Sequence, residues 1–193
     1  MAGGVAYDET MEGWFALGAT TPEEGVELGK RNGTRLSMQA RVTVDDLGPF
    51  LNNLEHPCGL VAGVDFPPLG LGIQGNGVFK LLSPGPDGSR RMVYDFTFQA
   101  NAKTYFFSGE KRVQHQSGFD LWPETTTLYS LLYEGSDKTG RVAGAGILRL
   151  SVQHFLHLLT TLKPINGGDR KTVATFGRFF FGELWELYAP HVR

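Results

Sequence analysis

RLSMQARVTV, residues 35–44, alternates without a break: Leu36, Met38, Ala40, Val42 and Val44 fall on one face, and Arg35, Ser37, Gln39, Arg41 and Thr43 on the other. Successive side chains of an extended chain point to opposite faces, so this is the pattern of a strand with one side buried. The same alternation recurs at 91–100, where Met92, Tyr94, Phe96 and Phe98 oppose Arg91, Val93, Asp95, Thr97 and Gln99. Further strands are expected at 60–66, 78–82, 103–113, 125–134 and 141–150, separated by turn clusters such as Pro84-Gly85-Pro86-Asp87-Gly88. One-sided strands joined by short turns predict a mainly β fold. The expected architecture is a single antiparallel β-barrel of about eight strands, lipocalin-like in outline, with short helices and a C-terminal helix.

Outward from these strands the pattern weakens. Residues 1–34 read as mostly irregular, with 1–10 flexible and Gly13-Trp14-Phe15 as the apolar anchor. Thr21-Pro22-Glu23-Glu24 has the order of cap, first helical residue and dipole-favoured acids, so a short helix to about Gly29 is expected, then a turn at Asn32-Gly33. Asp45 is the expected cap of a second short helix with Leu47, Phe50, Leu51 and Leu54 on one face. The stretch LGLGIQGNGVFKLLSP, residues 69–84, reads either as a bent strand or as a tight hairpin around Gly75-Asn76-Gly77. Ser151 should cap a helix over 151–162. The last helix, 170–188, carries Val173, Phe176, Phe180, Leu184 and Leu187, widened by Phe179, Phe181, Trp185 and Tyr188. So apolar a helix must be buried on more than one side, by closing the barrel, packing on its outside or docking on another protein.

With 193 residues, 41% hydrophobic and 14 Phe among them, the chain supports one domain with a sizeable core. The net charge of −2 carries no basic excess, so no nucleic-acid partner is expected. A single cysteine, Cys58, excludes an intrachain disulfide and suits a reducing compartment. No apolar run reaches the length of a membrane span, and the acidic N-terminus lacks the apolar stretch of a signal peptide, so a cytoplasmic protein is expected.

Few residues carry chemistry on their face. Cys58 in HPCGL reads as a small side chain half-buried in a turn. His154 and His157 share a helix face but lack a third ligand at a telling spacing. Gly70, Gly72, Gly75 and Gly77 are not followed by a phosphate-binding helix start, so they read as strand bends. Gly144 and Gly146 lie on one strand face with Val142 and Leu148, leaving room for an aromatic ring, a packed helix or a ligand. The candidate ligand-binding set is Tyr94, Phe96, Tyr105, Lys111, Trp122, Tyr129, Tyr133, Gly144 and Gly146. If their strand faces point inward, a few fixed polar groups stand in an apolar pocket, which is how a lipid-like ligand is oriented. Ordinary core tyrosines are the equal alternative. Asp120, Glu124 and His56 are possible proton-transfer groups.

A longer string of motifs is more specific. Gly13-Trp14-Phe15, Glu55-His56-Pro57, Asp120-Leu121-Trp122 with Thr125-Thr126-Thr127-Leu128-Tyr129, Gly144-Ala145-Gly146-Ile147-Leu148-Arg149, Phe176-Gly177-Arg178-Phe179-Phe180 and Gly182-Glu183-Leu184-Trp185 occur in order over about residues 11–188. Together they resemble a β-rich module that accompanies the flavin domain of bacterial glucose–methanol–choline (GMC) oxidoreductases of the cholesterol-oxidase-like type. Some of those long chains also carry an α/β-hydrolase domain. The chain itself has no flavin-binding GxGxxG after an N-terminal strand. The resemblance therefore implies an accessory role beside a GMC-type flavoprotein, in secondary metabolism of steroid, terpenoid or polyketide-like compounds. The leading expectation is a binder of a small apolar molecule, with no cofactor of its own. The alternatives are a cofactor-independent cyclase or isomerase of a hydrophobic intermediate, and a protein-docking domain.

Overall fold

The structure, a computed structural model, describes residues 3–86, 88–113 and 126–188, with the backbone alone at residues 181 and 183–188. Strand accounts for 54% of it. The strands are β1 (Gly4–Leu17), β2 (Arg35–Val44), β3 (Pro57–Phe66), β4 (Gly70–Pro84), β5 (Arg90–Ala100), β6 (Lys103–Val113), β7 (Thr127–Glu134), β8 (Val142–Arg149) and β9 (Lys163–Ile165). Every strand from β1 to β8 pairs antiparallel with its neighbours in sequence, and β8 returns to β1, which closes an eight-stranded up-and-down barrel. β9 lies outside that ring on the far end of β1.

The expected strands are present and β2 has the predicted bounds and facing. Two expectations about the strands are corrected, and one left open is decided. Residues 4–17 are not irregular but form a long strand between β2 on one edge and β8 and β9 on the other. Its alternation is hidden because Ala6, Trp14 and Ala16 put apolar atoms on the outer face while Glu9 and Gly13 interrupt the inner one. Of the two readings of the Gly-rich stretch, the bent strand holds and the hairpin at Gly75-Asn76-Gly77 does not. Its irregularity sits where the register with β5 shifts between Lys80 and Ser83, and Leu82 takes a φ of 54°. Cys58 is not in a turn but on the inward face of β3, 3% exposed.

Helix α1 (Pro22–Asn32) starts as its sequence dictates. Thr21 Oγ1 accepts from Glu24 N, and Gly33 closes the helix with a φ of 68°, where a side chain would be strained. It packs on the outside of β8 and β1. Helix α2 (Leu47–Asn52) is capped by Asp46 rather than Asp45, and is so short that only Leu47 and Phe50 are buried while Leu51 and Leu54 face out. Helix α3 (Val152–Thr161) is capped by Ser151. Helix α4 (Arg170–Tyr188) lays Phe176 and Phe180 over one end of the barrel, against Tyr7 at 6.0 and 6.3 Å between ring centroids. Phe50 of α2 meets Phe176 and Phe179 there, so α2 and α4 plug that end together. Among the described residues no helix is long and apolar enough to cross a membrane.

Candidate functional site

The inward positions of β1 are Val5, Tyr7, Glu9, Met11, Gly13 and Phe15, so strand geometry alone drives Glu9 into the barrel. β5 directs Tyr94 inward, and β6 directs Lys111 inward by the same rule. Glu9 is 4% exposed, Lys111 1% and Tyr94 1%. Tyr94 Oη donates to Glu9 Oε2 at 2.5 Å, and Lys111 Nζ donates to Glu9 Oε1 at 2.7 Å. Each carboxylate oxygen thus has a strong donor. The ammonium also stands 5.1 Å from the centre of the Tyr94 ring, a cation–π distance, and Phe79 packs on that ring at 4.4 Å. An ammonium has three N–H donors, and among the described residues Lys111 Nζ makes one hydrogen bond, to Glu9.

The other titratable groups nearby are held neutral. Burial, then the charge of Glu9, raises the Tyr94 phenol well above its ordinary range. Burial also lifts Tyr7, followed by Cys58 and Glu9. The Cys58 thiol is pushed up to about 12 by burial, so it is no nucleophile near neutral pH. The centre is one carboxylate–ammonium pair with protonated phenols beside it, among the buried apolar side chains of the barrel.

Glu9 also lies where the barrel wall changes partner. β8 pairs with residues 12–17 of β1 and β9 with residues 4–6. Between those two strands α3 takes over: Asp8 N donates to Thr161 Oγ1 at 2.9 Å. A helix side chain there satisfies the backbone in place of a strand.

Of the residues singled out from sequence, Tyr94 and Lys111 are brought together at this centre. Phe96 and Tyr105 are inward but stack on their neighbours, Phe96 on Phe107 at 4.8 Å and Tyr105 on Phe98 at 5.7 Å. Tyr129 and Tyr133 share a face, but it is the outer one. Tyr129 is 44% exposed, and Tyr133 lies near Phe106. The inward residues of β7 are Leu128, Ser130 and Leu132 instead. Gly144 and Gly146 do point inward, and the ring of Phe15 fills the room they leave. His56 packs between the rings of Phe50 and Phe179 under α4. Trp122, Asp120, Glu124 and the side chains of Phe181, Trp185 and Tyr188 lie outside what the structure describes. Among the described residues no group of three His, Cys, Asp or Glu side chains is arranged to hold a metal ion.

Glu9 is the residue that sequence reasoning missed. Its signal was present: an acid in phase with Val5, Tyr7, Met11 and Phe15 on a strand that was not recognised. A second feature, a groove of about 300 Å³, lies on the outer wall between Asp8, Thr10, Gln39, Arg41, Val61 and Gln74. Its charges are already matched, since Arg41 holds both Asp8 oxygens at 2.8 Å and keeps that carboxyl below its usual range. Set against protein-family models, curated proteins and solved structures, the chain matches none.

Proposed function

We propose that the protein binds a small, mostly apolar molecule that carries one oxygen function, taken into the barrel and held at Glu9, Lys111 and Tyr94. The observation that carries this is the buried ammonium of Lys111. A charge in an apolar interior costs free energy, and replacing such a pair with packed hydrophobic residues is often neutral or stabilising. The centre is therefore poorly explained as a device for stability. An ammonium that makes one hydrogen bond among the described residues, next to a phenol and a carboxylate, is suited to an acceptor oxygen arriving with a ligand.

Small and adaptable side chains around the centre support the reading. Ala40 pairs with Glu9 across β1 and β2, Ala62 follows on β3, and Met11, Met38 and Met92 are buried nearby. Unbranched methionines repack more readily than other large apolar side chains. The resemblance to the module beside GMC-type oxidoreductases supports the same class of compound and an accessory role next to such a flavoprotein. The docking reading of α4 has less support, because its Phe176 and Phe180 are buried in the barrel end.

Native mass spectrometry of the protein from its own source, followed by denaturing extraction, tests the proposal. Release of an apolar oxygenated molecule supports it. An empty protein that also fails to take up apolar ketones or alcohols by equilibrium dialysis sinks it.

A further inference from the structure

We infer that the Glu9–Tyr94–Lys111 centre moves a proton at the carbon next to a ligand carbonyl, so that the barrel isomerises apolar ketones. This inference rests on the binding reading above and adds a reaction to it. Enolisation asks for three parts: a carboxylate to take the α-proton, and two donors where negative charge develops on the carbonyl oxygen. The barrel brings those parts together at one carboxylate. Tyr94 Oη and Lys111 Nζ end on the two oxygens of one carboxylate, at 2.5 and 2.7 Å, so all three groups fall within reach of one carbonyl and its α-carbon. All three side chains are 4% exposed or less, which keeps water from competing for the donors.

The step balances without an oxidant or a cofactor. A ligand carbonyl oxygen replaces Glu9 as acceptor for Tyr94 and Lys111. The freed carboxylate takes the α-proton, the C–H electron pair becomes the new C=C bond, and the carbonyl π pair moves to the oxygen. Glu9 then returns its proton to the α-carbon, or to the γ-carbon where the substrate is unsaturated there, and the carbonyl re-forms. Burial keeps the Tyr94 phenol protonated throughout, so it donates a hydrogen bond and does not act as the base.

The test is α-hydrogen exchange. The full chain is incubated in heavy water with 2-decalone or β-ionone, deuterium uptake is followed by mass spectrometry, and the dissociation constant is measured separately by equilibrium dialysis. Exchange above the buffer rate by about 10²-fold or more is expected, the usual size of general-base catalysis. Glu9→Gln should remove that acceleration while the ketone still binds. Tyr94→Phe, which keeps the ring and its packing on Phe79, should slow exchange at least tenfold with a smaller change in affinity, and it serves if the Glu9 variant does not fold. Ketone bound with exchange at the buffer rate, or exchange unaffected in both variants, overturns the proton transfer and leaves the binding reading standing. No binding of either ketone overturns the proton transfer, and together with an empty protein from its own source it overturns the binding reading as well.

Discussion

Tyr94 and Glu9 meet across the barrel, 85 residues apart in sequence, through a phenol-to-carboxylate hydrogen bond of 2.5 Å. Lys111 binds the second oxygen of the same carboxylate, so one acid on β1 ties β5 and β6 to the opposite wall. Inside an apolar barrel such a link is sensitive to the loss of one partner. Lys111→Met should destabilise the protein by about 3–5 kcal/mol, since it leaves a buried carboxylate without its counter-charge. Glu9→Met combined with Lys111→Met should recover most of that loss. Urea midpoints of the two single variants and the double variant give the coupling directly. A double variant as unstable as the sum of the singles would mean that the two charges do not act as a pair.

The phenols set a limit at high pH. Burial raises the pKa of both Tyr7 and Tyr94 in the folded protein above the value of about 10 that an unfolded chain has. Their contribution to stability is therefore whole below about pH 10, and is lost as the pH rises from there through the folded values. Urea midpoints should fall on this alkaline side, and the fall should be shallower in Tyr94→Phe. Near-ultraviolet phenolate absorbance should show both groups ionising only as the barrel opens. An early, reversible ionisation of Tyr94 in the folded state would contradict its burial.

Cys58 offers a probe of the same interior. A thiol held at about 12 by burial is almost wholly protonated near neutral pH and has no path to a reagent. Alkylation by iodoacetamide should be negligible in the native protein and should rise with the unfolded fraction in urea. Rapid labelling of folded protein would show that β3 opens locally next to Tyr7 and Tyr94.

How much of this was legible depended on whether a strand keeps its period. β2 and β5 alternate cleanly, so both strands and the residues sharing each face were legible, while the inward facing of Tyr94 and Phe96 rested on the fold. β1 hides its period because its outer face, under α1 and α3, is as apolar as its inner one at Ala6 and Ala16. The acid that organises the site went unread with it. Tyr129 and Tyr133 show the opposite failure. Their shared face was evident, but whether that face looks in or out is decided by Leu128, Ser130 and Leu132 packing inside, a tertiary fact. Tyr129→Phe should accordingly leave ligand affinity unchanged and stability within about 0.5 kcal/mol, as expected for an exposed site.

Gly146 decides among the three occupants the sequence allowed there, an aromatic ring, a packed helix or a ligand: the ring of Phe15 takes the room. In the barrel, a Cβ on Gly146 would stand 2.4 Å from the Trp14 carbonyl oxygen, 2.6 Å from the Phe15 ring and 2.7 Å from Phe15 Cα. Two of those three atoms are backbone of the neighbouring strand and cannot turn aside. Gly146→Ala should therefore push β1 from β8 and cost about 1–3 kcal/mol, the range for overpacked cores. Phe15→Leu should not rescue it, because the backbone contacts persist. Gly109→Ala is the contrast: the atoms its Cβ would meet, at 2.8–2.9 Å, all belong to the Leu128 side chain. Trimming Leu128 to Ala should relieve that clash, so the two changes together should cost less than their sum. Urea denaturation of these variants separates the cases, and rescue of Gly146→Ala by Phe15→Leu would mean that the ring alone, not the close approach of the strands, demands glycine there.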